Sequence, residues 1–196
     1  MLKFAADPEK VVNTILFFAS RCPSPTKMKI SKLMFYADKL HLNRYGRPIT
    51  GDTYIKMNFG PVPSMALNLM RHQAYYETAS ELFDENLLVK GNDVLPLGKL
   101  NRQVFSRSDL AVMEEVLDKY GCHSATILSN ASHDEPAWNN SEMNRKIDFE
   151  RFFDTNEDSQ RMLGLITSDE TPIREPHSRE CKEDSSETQR AKARRA

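Results

Sequence analysis

Residues 26–46 read TKMKISKLMFYADKLHLNRYG, and this stretch decides the fold. Thr26 is a suitable N-cap, and Ile30, Leu33, Met34, Ala37, Leu40 and His41 recur at helical spacing on one face. Gly46 follows the last helical residue, where glycine adopts the left-handed conformation that ends a helix at little steric cost. The stretch predicts one long helix, with Phe35 and Tyr36 widening its apolar face.

Working outward, Cys22-Pro23-Ser24-Pro25 separates this helix from an earlier one, because neither proline continues a hydrogen-bond ladder. Asp7 and Pro8 open that earlier helix as N-cap and first-turn residue, and Val11, Val12, Ile15, Leu16, Phe18 and Ala19 supply its apolar face. On the other side, residues 53–57 alternate as a strand and Phe59-Gly60-Pro61 breaks it. Pro63-Ser64 then starts a third helix expected to run to about Tyr75. Residues 87–90 and 94–97 flank Gly91-Asn92-Asp93 as a hairpin. Ser106 and Asp109 match a capping box ahead of Leu110, Met113, Val116, Leu117 and Tyr120, and Gly121 closes that helix. Ser124 caps another through Ile127, Leu128 and Ala131. Ile147, Phe149, Phe152 and Phe153 read as a short closing helix, with Met162, Leu163, Leu165 and Ile166 packing behind it.

The fold class expected is α+β and mainly α-helical. Five or six helices surround one core over residues 1–166, with a small antiparallel sheet at one edge. Residues 167–196 contain no aromatic residue, one sizeable aliphatic (Ile173), and seven acids against seven bases. Such a segment does not bury enough surface to offset about 1–2 kcal/mol of backbone entropy per residue, so it reads as a disordered charged tail.

The formal net charge of −1 excludes a global basic field that would draw the chain onto nucleic acid or an anionic membrane. Cys22, Cys122 and Cys181 are odd in number and lack metal-ligand spacing, which favours reduced thiols. The longest apolar run, residues 15–19, is far below the roughly 20 residues of a membrane span, and no signal peptide is legible. A cytoplasmic location is expected.

Several residues carry possible function. In the loop 46–52 the glycines have structural readings, whereas Arg47 and Asp52 either shape the turn or present charged groups to a partner. Tyr54 and Lys56 share a strand face and either cover the sheet or contact a partner. Gly60-Pro61-Val62-Pro63 fails as a phosphate cradle, since its prolines remove two N–H donors, and reads as a rigid lead into a helix. His133 has no companion at zinc-ligand spacing, which leaves a cap or a buried hydrogen bond as its expected role. Trp138, the single tryptophan, is a core anchor or an interface hot spot. Lys27, Lys29, Lys32 and Lys39 read as a solvated basic face; a DNA-binding helix, with the hairpin at 86–97 as a wing, is the alternative. No nucleophile, base or metal cluster converges at readable spacing, so neither enzymatic activity nor a cofactor is expected.

Three runs, residues 32–52, 54–64 and 128–138, together resemble the Panacea domain family (SocA-like, phage-associated GepA-like) over about residues 8–153. The resemblance implies an antitoxin that neutralises a cognate toxin, encoded by an adjacent gene, through direct contact. It also brings an ATP-dependent protease into view as a further partner, since one member delivers its toxin to such a protease. The residues on these runs expected to face a partner are Arg47, Asp52, Tyr54, Lys56, His133 and Trp138. Asn58-Phe59 departs from the family, which often carries a histidine before Gly-Pro. The tail lies outside the resemblance and reads either as a protease handle or as a solubilising extension.

Overall fold

A computed structural model describes residues 2–73 and 77–168. The long helix of the opening stretch is α2 (Lys27–Tyr45), capped by Thr26 Oγ1 on the Lys29 amide and ended by Gly46 at φ 71°. It is the hub of the molecule. Preceding it is α1 (Pro8–Ala19), N-capped by Asp7, and following it is the antiparallel hairpin of β1 (Tyr54–Met57) and β2 (Gly60–Pro63). Next come α3 (Ser64–Met70), α4 (Glu77–Asn86) and a second hairpin, β3 (Leu87–Lys90) with β4 (Asp93–Pro96). The chain closes with α5 (Arg107–Tyr120), α6 (Ala125–His133), α7 (Pro136–Asn139) and α8 (Glu157–Ser168).

Helices α1, α3, α5, α6 and α8 and strand β2 all pack on α2. It is therefore buried nearly all round, and the single stripe expected from sequence understates it. Ile30, Leu33, Met34 and Phe35 are fully buried, and so are Ser31, Lys32, Asp38 and His41 between them. Buried polar groups require partners; Ser31 Oγ donates to the Lys27 carbonyl within α2, and the others hold neighbouring segments. Lys29 Nζ donates to the Pro23 carbonyl (2.6 Å). Lys32 Nζ donates to that of Pro61 (2.7 Å). Asp38 accepts from the Ile49 and Thr50 amides, the Thr50 hydroxyl and the Tyr54 phenol, which fixes the loop after α2. Asn43 joins α2 to the Phe152 carbonyl and the Asp154 amide.

The sequence expectation differs from the structure in five places. Gly60–Pro63, expected to break the strand and lead into a helix, itself forms strand β2. The third helix stops at Met70, with His72 at φ 53°; its expected end at about Tyr75 lies outside the described residues. Helix α4 was not expected; its Ala79 and Phe83, a helical turn apart, are its buried residues. The described residues hold eight α-helices and two separate two-stranded sheets in place of five or six helices and one sheet. Phe149–Phe152 forms a 3-10 turn, and Ile147 precedes it in a segment bridged to β1. The two sheets stay separate because Pro61 and Pro63 leave β2 unable to extend its ladder. The tail expected at 167–196 falls, apart from Thr167 and Ser168 at the end of α8, outside the described residues.

Candidate partner-binding face

The six residues expected to face a partner fall in three places. Arg47 is pinned to the start of α5: its guanidinium donates to Asp109 (2.8 Å) and Ser106 Oγ (3.1 Å). Asp109 also receives Lys10 Nζ (3.0 Å) and lies 3.0 Å from His41 Nε2, while closing the capping box with Ser106. Burial alone would raise the Asp109 carboxyl, but hydrogen bonds from His41, the Ser106 amide and Lys10 hold it well below the usual carboxylate range.

Asp52 and Tyr54 are interior, each 1% exposed, so a partner docking on the folded domain does not reach them. Asp52 accepts from the Met65 and Ala66 amides (2.9 Å each) and so caps α3 from a distance. The residue at the N-cap position is Pro63, which has no capping side chain. Burial pushes the Asp52 carboxyl up to about 6, against those two donors. Tyr54 OH donates to Asp38 (2.8 Å), and its ring packs edge-on against Phe35 and Phe152. Gly51, at φ 69°, lies where a Cβ would strike the Ala5 carbonyl oxygen at 2.2 Å.

Lys56, His133 and Trp138 do come together. The Trp138 ring has Lys56 Nζ 4.1 Å from its centroid and the His133 ring 4.2 Å away. Lys56 Nζ donates to the Ser141 carbonyl (2.9 Å), and Trp138 Nε1 donates to that of Met57 (2.9 Å). His133 packs by stacking and its Nε2 has no hydrogen-bond partner, which corrects the cap or buried bond expected for it. Among the described residues no group of histidine, cysteine, aspartate and glutamate side chains could hold a metal.

This cluster serves to hold the β1–β2 hairpin. Ser129 Oγ on α6 donates to the Phe59 carbonyl (2.9 Å), and residues 144–147 run beside β1 with three backbone hydrogen bonds. Gly60, at φ 95°, passes so close to α6 and α2 that a Cβ would meet Ser132 Oγ at 2.1 Å and Lys32 Nζ at 2.8 Å. The hairpin is thus clamped up to and including its turn, where the Phe59 carbonyl is bound to Ser129 and the Phe59 side chain stands clear. Phe59 at this hairpin tip is 66% exposed, the most exposed of the large hydrophobic residues described.

Beneath the tip, between the hairpin, the start of α2 and α3, lies a groove of about 450 Å³. Its apolar lining comes from Met28, Met57, Phe59, Val62 and Leu67. Its charged lining consists of Lys27, Lys32 and Arg71, with no carboxylate. A second groove, of about 320 Å³, lies between α2 and α5 and contrasts with it. There Lys39 pairs with Glu135 and Asp154 and Arg44 with Glu115, while Lys119 lies over the Tyr120 ring, so its three carboxylates are already engaged by cations.

The basic face expected on α2 is not formed. Lys29 and Lys32 are 3% and 1% exposed and donate to backbone carbonyls, and Lys39 is ion-paired. The second hairpin, expected as a wing, is tied to the proline turn by the Lys27 and Val94 amides. The DNA-binding alternative thereby loses both features that motivated it. Sequence reasoning passed over Phe59, Met28 and Arg71. The available signal was a bulky aromatic at a hairpin tip, where a polar turn residue is usual.

Residues 30–139 match the family described as antitoxin SocA-like, Panacea domain. The match spans more than half of the chain and lies inside the wider stretch of resemblance in the sequence. The chain belongs to the SocA-like Panacea antitoxin family. Membership gives it an antitoxin-type role, with a toxin as the general kind of partner. Searches of curated proteins and of solved structures returned no match. Among the described residues no helix is long and apolar enough to cross a membrane.

Proposed function

We propose that the protein neutralises a cognate toxin by direct, stoichiometric binding, without chemistry of its own, and that the toxin docks over the tip of the β1–β2 hairpin. The observation that carries this reading is Phe59, 66% exposed on a hairpin held along β1 by residues 144–147 and at its turn by Trp138 and Ser129. An aromatic side chain held out on a rigid support loses little conformational entropy on binding, which is the usual character of an interface hot spot. Family membership supports the toxin as the partner, and the protein encoded beside this gene is the one to test. The platform around Arg47, Asp52, Tyr54 and Lys56 gives way to this face, because its polar groups are engaged within the fold.

The test is co-expression of the neighbouring gene with this chain, with Phe59→Ser and with Arg44→Ala, scoring growth and recovery of a complex. Wild type and Arg44→Ala are expected to restore growth and co-purify one to one with the neighbour. Phe59→Ser should weaken the complex by about 2 kcal/mol or more, roughly thirtyfold in Kd. Equal toxicity with and without the wild-type chain would sink the reading.

A further inference from the structure

The groove under Phe59 has a chemical bias that defines what enters it. Its walls are apolar and its three charged groups, Lys27, Lys32 and Arg71, are all cationic. Lys32 is the unusual member. It is 1% exposed, its ammonium donates to a single protein acceptor, the Pro61 carbonyl, and no carboxylate forms an ion pair with it among the described residues. An ammonium carries three donors, and a buried cation without a counter-charge is costly to keep. Its burial lowers the ammonium from its ordinary value to about 7, with no charged neighbour opposing that shift. The start of α2, which has no acidic residue in its first turn, adds the positive end of a 19-residue helix to the same mouth.

Resting on the antitoxin reading above, we infer that this groove binds a protein segment in which an aliphatic or aromatic side chain adjoins a carboxylate. The apolar side chain lies against Met28, Phe59 and Val62, and the carboxylate meets Arg71 and Lys27 at the mouth, with the enclosed Lys32 ammonium beneath it acting through its charge and not by contact. The carboxylate supplies the charge that the folded domain withholds from Lys32. Apolar walls distinguish this occupant from a nucleic-acid backbone, whose phosphates would need a polar, open track of cations.

Selection of random twelve-residue peptides displayed on phage, run in parallel on the full chain and on Lys32→Met, tests the inference without knowing the toxin. The expected result is enrichment, on wild type alone, of peptides pairing Asp or Glu with Leu, Ile or Phe within two positions. Their synthetic copies should lose about tenfold in affinity on Lys32→Met, the size of one cation removed from beneath the carboxylate. Arg71→Glu, at the exposed rim, is a second variant that should lose affinity comparably without touching the interior. No enrichment, enrichment without acidic residues, or equal binding to all three chains would overturn it. So would Lys32-dependent retention of a random DNA duplex in place of acidic peptides. The neighbouring toxin separates the two readings. Failure of wild type to neutralise it counts against the antitoxin mechanism, whereas neutralisation undiminished in Lys32→Met and Arg71→Glu counts against this groove alone.

Discussion

At the scale of single residues, the fold is organised by polar groups placed inside it. Asp38, fully enclosed, accepts four hydrogen bonds from Ile49, Thr50 and Tyr54 and converts a glycine-bounded loop into a fixed strut. Lys32, buried with a single acceptor, is satisfied only in part, and this has a measurable consequence. Between about pH 7, where the folded chain releases the Lys32 proton, and the ordinary value of 10.5, the unfolded chain holds the proton and the folded one does not. Stability from this group is therefore greatest at high pH and is lost as pH falls towards 7. The limiting slope is about 1.4 kcal/mol per pH unit. Urea unfolding at pH 7, 8 and 9 should show wild type gaining stability with pH relative to Lys32→Met. Parallel profiles for the two chains would mean that Lys32 keeps its proton in the folded state.

Among the elements, α3 and the β1–β2 hairpin show how one segment depends on another for its ends. Helix α3 is seven residues long and begins after Pro63, too short to be stable without outside support. Asp52 provides that support through the Met65 and Ala66 amides. Asp52→Ala leaves two buried donors unpaired and should cost about 2–3 kcal/mol. Asp52→Asn, which retains one acceptor oxygen, should cost about half as much. Chemical denaturation gives the totals, and faster hydrogen exchange at the Met65 and Ala66 amides would locate the effect. Unchanged exchange there would move the role of Asp52 elsewhere in the loop. The hairpin, by contrast, is secured at its turn by Trp138, Ser129 and the close approach of Gly60, which fixes the backbone that carries the Phe59 side chain outward.

Across the whole molecule, one buried helix gathers the domain. Removing residues 169–196 retains α8 and should change unfolding free energy by no more than about 0.5 kcal/mol. The same truncation reports on turnover in cells: a longer half-life marks the stretch as a protease handle, and an unchanged one as a solubilising extension. Much of the architecture was legible locally. Asp7, Thr26, Ser106 and Ser124 announce helix starts, and Gly46 and Gly51 mark left-handed turns, because capping and backbone conformation depend on a few adjacent residues. The three motif runs likewise identified the family, since they are properties of sequence alone. What the sequence could not determine is direction. Lys29 and Lys32 look like a solvated face until packing on α1, α3, α6 and β2 encloses them. Asp52 and Tyr54 look presentable until the long-range bonds to α3 and Asp38 turn them inward, while Phe59, read as part of the break after a strand, stands outside. Which side of a residue faces a partner is set by neighbours distant in the chain, and only the tertiary structure supplies them.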